Sequence, residues 1–245
     1  MKIFRDIDQI EHLTNAVATM GSFDGVHCGH QELLRRTTTL ARQRDGESVV
    51  ITFEPHPRYV LGTGGNMKLL TTLDEKLYLF ERAGVDCVVV INFTQEFSYL
   101  SPQEFIAKIA SLGVRCMVVG YNHRFGHKKE GDYNYLESRC EDMELHLVEQ
   151  QQMAQSKVSS TIIRQQISMG MLDKAIKMMN HPYIIKGALS PEGTLGGIYP
   201  EKLLPAEGVY DATIGDMQTS LTVGRDGSLR VGYSKICGEV MVEIK

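Results

Sequence analysis

Residues 19–30 read Thr-Met-Gly-Ser-Phe-Asp-Gly-Val-His-Cys-Gly-His and begin where the apolar run Ala16–Met20 ends. This stretch joins a predicted strand to a predicted helix, His30–Arg44, and an open parallel sheet binds its ligands at such a junction. Its three glycines let the backbone approach phosphate groups closely, and the N–H groups at a helix start favour anions. The stretch therefore predicts an α/β domain with an anion site at its first strand–helix junction.

The two histidines of this stretch are the first candidate functional residues. His27 and His30 are three positions apart, so both can face one ligand at the start of the helix. Their imidazoles can donate hydrogen bonds to phosphate oxygens and stabilise the charge that develops during nucleotidyl transfer. A lone surface histidine would carry no such meaning, but two histidines around a glycine at this junction favour a site. No cluster of cysteines or carboxylates completes a metal site, so no protein metal ligand is predicted.

Strand-type and helix-type stretches alternate over the first 150 residues. The predicted strands are Ala16–Met20, Ser48–Phe53, Cys87–Ile91, Cys116–Gly120 and Leu145–Val148. The predicted helices are His30–Arg44, Leu73–Ala83, Pro102–Leu112 and Asp132–Glu141. Several strands are continuously apolar, which is typical of a parallel sheet covered on both faces. The alternation predicts a doubly wound, Rossmann-like α/β domain.

The character of the sequence changes near residue 181. Before it, Thr161–Met179 has helical periodicity interrupted at Gly170, which predicts two short helices. After His181-Pro182, glycine-rich segments separate short apolar runs, and Asp226-Gly227 is a hairpin signal. These runs are Tyr183–Ile185, Val209–Ile214, Ser220–Val223, Leu229–Tyr233 and Val240–Ile244. We therefore predict one domain over residues 1–180 and a small antiparallel β domain over residues 181–245.

A second candidate site lies at the start of the Thr161–Met179 segment. Ser159, Ser160 and Thr161 provide hydroxyls that suit a helix N-cap, and Arg164 follows one turn later. A plain cap with a solvated arginine would give the same pattern. The functional interpretation is a helix N-terminus with a matched guanidinium that binds a departing pyrophosphate.

The motifs together resemble those of the bacterial FAD synthetase family, within the nucleotidylyltransferase superfamily. The similarity covers about residues 15–180 and rests on four motifs in order: the 21–31 stretch, Thr52–Arg58, Val119–Gly126 with Gly131, and Ser159–Arg164. Four ordered motifs are more specific than any single one. One position departs from the family pattern, because His123 stands where a phenylalanine is usual.

The resemblance implies FMN adenylyltransferase activity and assigns roles to residues. The implied catalytic residues are His27, His30 and Arg164. The implied ATP-binding residues are Gly21, Ser22, Phe23, Gly29, Asn122, Ser159, Ser160 and Thr161. The implied flavin-binding residues are Asp24, Pro55, His56, Pro57, Arg124, Phe125 and Gly126. The implied reaction is direct in-line displacement of pyrophosphate from ATP by the phosphate of FMN, with Mg²⁺ carried on ATP.

In bifunctional members of the family a riboflavin kinase domain follows, and the C-terminal part resembles its opening. Tyr183–Gly187 and Leu204–Tyr210 carry that similarity. The family's Gly-Arg-x-x-Gly-x-Pro-Thr-Ala-Asn segment should lie between them, yet the interval Leu189–Pro200 lacks its threonine and asparagine in that pattern. We therefore predict a degenerate β domain without kinase activity, which packs on the first domain or forms a homo-oligomer.

The composition excludes several other classes of protein. The chain has 245 residues and a formal net charge of -4, which disfavours a nucleic-acid partner. No apolar run is long enough for a membrane span. The five cysteines include no Cys-x-x-Cys pair, which predicts reduced thiols in a cytoplasmic protein. Two alternatives stay open: an adenylyltransferase for another phosphate acceptor, and a non-catalytic regulator that binds flavin or nucleotide.

Overall fold

The computed structural model describes residues 1–10, 12–140, 143–149, 158–232 and 235–245, and these form two compact units. The first unit contains residues 1–23, 29–66 and the described residues from 79 to 149. The second contains residues 24–28, 67–78 and the described residues from 158 onward. Both units are therefore discontinuous in sequence. The predicted domain boundary near residue 181 stays a prediction.

The first unit is built on a parallel sheet of six strands in the order β1-β4-β3-β2-β5-β6. The strands are β1 Lys2–Phe4, β2 Ala16–Met20, β3 Ser48–Glu54, β4 Cys87–Asn92, β5 Val114–Gly120 and β6 Glu144–Val148. The α-helices described before residue 140 are α1 Cys28–Gln43, α2 Pro57–Val60, α3 Leu73–Arg82, which the second unit shares as far as Tyr78, α4 Pro102–Ser111 and α5 Tyr133–Arg139. β2 is buried along its whole length, as its continuous apolar sequence predicted. The predicted Rossmann-like parallel sheet is confirmed.

Local sequence signals account for the ends of these elements. Ser101 caps α4 by accepting a hydrogen bond from the Glu104 main chain, while the Glu104 carboxylate accepts one from the Ser101 main chain at 2.8 Å. Pro102 occupies the first helical position, where its missing N–H costs nothing. The predicted start of this helix is confirmed. The predicted end of α5 at Glu141 lies outside the residues that the structure describes.

The strand order reverses direction at β2, which pairs with β3 on one side and β5 on the other. Such a switch point opens a crevice at the carboxyl ends of the two strands that flank it. The loop after β2 begins at Gly21, and the loop after β5 begins at Tyr121. The topology therefore brings the Gly21–Phe23 and Asn122–Gly126 motifs to the same edge of the sheet.

The described residues of the second unit contain α3 as far as Tyr78, two further helices and an antiparallel sheet in the order β11-β10-β9-β12-β7-β8. The elements are α6 Ser160–Ser168, α7 Leu172–Met179, β7 Tyr183–Leu189, β8 Leu195–Gly196, β9 Gly208–Ile214, β10 Met217–Val223, β11 Leu229–Val231 and β12 Gly238–Ile244. The two edge strands approach each other, because Val231 N–H donates to the Gly193 carbonyl at 2.8 Å. The sheet is thus nearly a barrel, which confirms the predicted β domain. Tyr233, the predicted end of β11, lies outside the described residues.

A buried ion pair lies at the centre of the second unit. The Lys202 ammonium donates to the Glu75 carboxylate at 2.7 Å, to the Leu70 carbonyl at 2.7 Å and to the Ile184 carbonyl at 2.6 Å. It also lies 4.3 Å from the centre of the Tyr183 ring. The Lys202 and Glu75 side chains are only 0% and 1% exposed. The buried Lys202 ammonium therefore links residues 67–78 to β7, because it binds both Glu75 and the Ile184 carbonyl.

We expect Lys202→Met to lower the free energy of unfolding by about 3–5 kcal/mol, because it leaves the buried Glu75 carboxylate without its counter-charge. The matched control is Lys186→Met, which removes a partly exposed lysine paired with Asp74 and should cost about 1 kcal/mol or less. Urea unfolding of both variants measures the difference. Equal losses would contradict the prediction, and adding Glu75→Gln to Lys202→Met should recover part of the loss.

Candidate functional site

In the first unit, Phe23 fixes the ring of His30 at the first turn of α1. The Phe23 side chain is wholly buried, and its ring lies edge-on to the His30 ring with centroids 5.1 Å apart. On its other side the same ring lies 5.4 Å from the ring of Phe80. A Cβ at Gly21 would make an ordinary contact with the Phe23 ring at 3.4 Å, so this packing does not require glycine there. The loop after β2 thus orients one of the two predicted catalytic histidines through aromatic contacts.

The backbone of this loop adopts an unusual conformation. Phe23, Gly25 and Val26 have φ angles of +49°, +83° and +36°. Left-handed φ angles are rare for bulky and β-branched residues and cost about 1–3 kcal/mol each. At Gly25 only glycine fits, because an added Cβ would lie 2.7 Å from the Leu70 side chain. Strain of this kind collects at functional sites, where surrounding contacts compensate for it.

In the second unit, Asp24 is the centre of a buried hydrogen-bond network. It is only 2% exposed, and one carboxylate oxygen accepts from the main-chain N–H groups of Leu70 at 2.9 Å and Thr71 at 3.0 Å. The other oxygen forms an ion pair with Arg164, and the Asp24 carbonyl accepts from the Ser160 hydroxyl at 2.8 Å. Asp24 therefore connects the 24–28 loop to the start of α6. Its predicted contact with flavin stays a prediction.

Arg164 is held in one orientation at the start of α6. Its guanidinium pairs with Asp24 and donates through Nε to the Lys68 carbonyl at 2.8 Å. Its side chain is only 14% exposed, so the guanidinium is not solvated, and its predicted contact with pyrophosphate stays a prediction. Ser159 is the N-cap, and the exposed Thr161 occupies the first turn. Arg164 keeps further N–H groups that can bind an anion at this helix terminus.

His27 lies in the same unit and is almost completely buried, with 7% exposure. Burial lowers the pKa of His27 to about 4, while the charge of Asp24 opposes this shift and that of His181 adds to it. The imidazole is therefore neutral at pH 7 and presents one donor and one acceptor nitrogen.

His181 is a contact of this loop that the sequence motifs did not identify. Its Nε2 lies 2.9 Å from the Gly25 carbonyl oxygen, and its Nδ1 lies 2.7 Å from the carbonyl oxygen of Pro182. Burial lowers the pKa of His181. The only sequence signal here is the His-Pro pair at the predicted domain boundary.

The loop after β5 presents the second group of predicted residues in the first unit. Asn122 and Arg124 are exposed, and Arg124 pairs with Asp132. The half-buried His123 stacks on the Phe125 ring at 5.7 Å with an interplanar angle of 22°. Burial lowers the pKa of His123 to about 4, and its Nε2 has no hydrogen-bond partner among the described residues. His123 is thus a neutral aromatic ring whose Nε2 is available for a hydrogen bond.

Phe125 and Gly126 shape that loop. Gly131 exchanges two main-chain hydrogen bonds of 3.0 Å with Phe125, and a Cβ on Gly131 would lie 2.6 Å from the Phe125 ring. Gly126 has φ +72°, and a Cβ there would lie 2.8 Å from Pro102. Glycine is therefore required at both positions for the loop to close.

The Pro55-His56-Pro57 segment follows β3, and the Glu54–Pro55 peptide bond is cis. His56 is the N-cap of α2, and its Nδ1 accepts from the Arg58 N–H at 3.2 Å. The structure thus gives His56 a capping function. The flavin contact predicted for these three residues stays a prediction.

Comparison with known proteins identifies relatives over most of the chain. The FAD synthetase family matches residues 9–162. A bifunctional riboflavin kinase/FMN adenylyltransferase of Listeria monocytogenes is 37% identical over 178 residues, which is 71% of this chain and 57% of that protein. The protein of the same name from Escherichia coli K12 is 31% identical over 225 residues, which is 86% and 72% of the two chains.

A relative of similar length also exists. A protein named FAD synthetase from Listeria monocytogenes is 31% identical over 224 residues, which is 89% of this chain and 88% of that protein. By contrast, the chain spans only 57% and 65% of the bifunctional relatives from Listeria monocytogenes and Buchnera aphidicola.

The architecture also has a solved counterpart. A crystal structure described as a macrolide-efflux protein from Streptococcus pneumoniae has a TM-score of 0.82 and 26% identity, covering 99% of this chain and 88% of that one. Within the described part of this chain, no helix combines the length and apolar character that crossing a membrane requires.

We expect His27 to make the protein less stable in mild acid. Between pH 4 and 6.5 the unfolded chain binds a proton that the folded chain does not, so stability present above pH 6.5 is lost as the pH falls towards 4. The loss from this residue is at most about 3 kcal/mol. Urea unfolding at pH 7 and pH 4.5 should show a smaller loss for His27→Gln than for the wild type. Identical losses would contradict the prediction.

Proposed function

This chain belongs to the bacterial FAD synthetase family, and we propose that it transfers the adenylyl group of ATP to FMN, giving FAD and pyrophosphate. The observation that carries the proposal is the buried Asp24–Arg164 ion pair. It joins the histidine-containing loop to the helix start with the Ser-Ser-Thr motif, so the two predicted phosphate motifs act together. Donors that are fixed in advance favour nucleotidyl transfer, because negative charge develops on the leaving pyrophosphate.

In the proposed reaction a phosphate oxygen of FMN attacks the α-phosphorus of ATP. The bond from that phosphorus to the bridging oxygen of the β-phosphate breaks, and pyrophosphate leaves with the Mg²⁺ that ATP brought. The protein's task is to position the reactants and neutralise charge, so it needs no nucleophile of its own. Both oxygens of Asp24 are engaged by protein donors, which favours Mg²⁺ that is held by the substrate phosphates.

Each unit has its own part in this proposal. In the second unit, neutral His27 donates a hydrogen bond to phosphate, while Arg164 and the hydroxyls of Ser159–Thr161 hold the leaving pyrophosphate. In the first unit, Phe23 orients the ring of His30, which the family resemblance assigns to an ATP phosphate, and Asn122 can read adenine or a hydroxyl. Arg164 is effective because Asp24 fixes its guanidinium before the substrate arrives, so no reorganisation is needed during the reaction.

We include in the proposal that the chain is monofunctional. Leu189–Pro200 contains Thr194 but not the Pro-Thr-Ala-Asn sequence of the kinase segment. The relative named FAD synthetase matches this chain over nearly its whole length, which supports a shared single activity. FMN would then be supplied by another enzyme that phosphorylates riboflavin. Association through the β domain stays a prediction.

The proposal is tested by incubating the purified chain with Mg-ATP and either FMN or riboflavin, and separating the flavins by chromatography. We expect FAD from FMN, no FMN from riboflavin, and no reaction after Mg²⁺ is chelated. His30→Ala should reduce the rate by about 10²–10³-fold, because it removes a donor aimed at developing charge.

His146→Ala is the matched control, since it removes a histidine of β6 whose contact is with Glu144; it should keep the wild-type rate. FMN formed from riboflavin would contradict the monofunctional assignment. No FAD from FMN, with product from another phosphate acceptor, would indicate the alternative enzyme. Binding of flavin or ATP without any product would indicate the regulator.

A further inference from the structure

We propose that His181 and Thr71 are positioning residues that hold the Gly25 peptide and thereby aim His27 at the phosphates; the inference rests on the proposed function. Neither residue belongs to a motif identified in the sequence. Thr71 lies between β3 and α3, and His181 lies between α7 and β7. Both belong to the second unit, together with residues 24–28.

The two residues bind the two polar groups of Gly25. The Gly25 N–H donates to the Thr71 hydroxyl at 2.8 Å, and the Gly25 carbonyl faces His181 Nε2 at 2.9 Å. A carbonyl oxygen can only accept, so Nε2 donates to Gly25 in the tautomer that carries its proton on this nitrogen. Thr71 is only 2% exposed, and its own N–H donates to Asp24. Gly25 therefore has no freedom to rotate without breaking a buried hydrogen bond.

The strained backbone explains why the hydrogen bonds that Thr71 and His181 form with Gly25 matter. Gly25 and Val26 both have left-handed φ angles, and Val26 is β-branched. Such a conformation persists only where its surroundings over-determine it. His27 is the next residue, so a relaxed Gly25–Val26 peptide would move its imidazole. A displacement of about 1 Å at a reacting centre can cost about 10²-fold in rate.

This arrangement gives the C-terminal part of the chain a role that requires no kinase chemistry. His181 follows α7 and precedes the first strand of the β domain. The residue reaches Gly25 across 156 positions of sequence. The segment that carries the β domain thus supplies a residue to the histidine loop of the adenylyltransferase.

The test uses paired variants of the full chain that remove or keep each hydrogen bond. His181→Ala removes the donor, whereas His181→Gln keeps an amide donor. Thr71→Val removes the hydroxyl acceptor, whereas Thr71→Ser keeps it. We expect kcat for FAD formation to fall about 10²-fold in His181→Ala and Thr71→Val, with KM for FMN changed less than about threefold. His181→Gln and Thr71→Ser should recover most of the loss, and His146→Ala should behave as wild type.

A merely structural role would give a different result. If all four variants lost activity equally, or lost it only in proportion to a lower unfolding midpoint, the inference would be overturned. Wild-type kcat in His181→Ala or Thr71→Val would overturn it as well. The double variant His181→Ala/Thr71→Val should lose less than the product of the single losses, because both residues hold the backbone of Gly25.

Binding of inorganic pyrophosphate, measured by calorimetry, separates this inference from the proposed function. We expect binding about tenfold weaker in His181→Ala and Thr71→Val, and near wild type in His181→Gln and Thr71→Ser. A wild-type chain that makes no FAD but shows this pattern would overturn the proposed function and support the inference. A wild-type chain that neither makes FAD nor binds pyrophosphate would overturn both.

Discussion

The buried ion pair between Asp24 and Arg164 is the interaction on which the second unit's functional groups depend. A buried carboxylate without its counter-charge is strongly unfavourable, so the loop and the helix can only be stable together. The amides of Leu70 and Thr71 satisfy the remaining capacity of the carboxylate. Asp24, which the family resemblance links to flavin, thus also has a structural role, because it holds the Arg164 guanidinium at the start of α6.

Much of the fold could be predicted because its signals are local. Continuous apolar runs predicted the strands β2 to β5, and Ser101 with Pro102 predicted the start of α4. The short edge strand β1 has no comparable signal, because its residues Lys2–Phe4 are largely exposed. The two residues of β8 are too few to show a period. Strand assignment from sequence therefore fails where burial on a face does not impose a pattern.

The motifs of the candidate site are visible in the sequence, but the distant residues that hydrogen-bond to them are not. The motifs combine glycines, histidines and hydroxyls at close spacing, and that chemistry is visible in the sequence. Thr71 and His181 contact Gly25, which lies 46 and 156 positions away, and Lys202 contacts Ile184, which lies 18 positions away. Nothing in a threonine or a lysine indicates which distant carbonyl or amide it will meet. Hydrogen bonds of this kind become visible only when the chain is folded.

The discontinuity of the second unit has a consequence for synthesis of the chain. Residues 24–28 leave the ribosome early, yet their partners Arg164 and His181 follow 140 and 156 positions later. Tyr78 likewise donates to Glu243, which is 165 positions away. Contacts of such sequence separation must wait for loop closure and slow folding. The histidine loop therefore reaches its final conformation only after residue 181 has been translated, and a nascent chain that ends before α6 and His181 would not yet have assembled the predicted phosphate site.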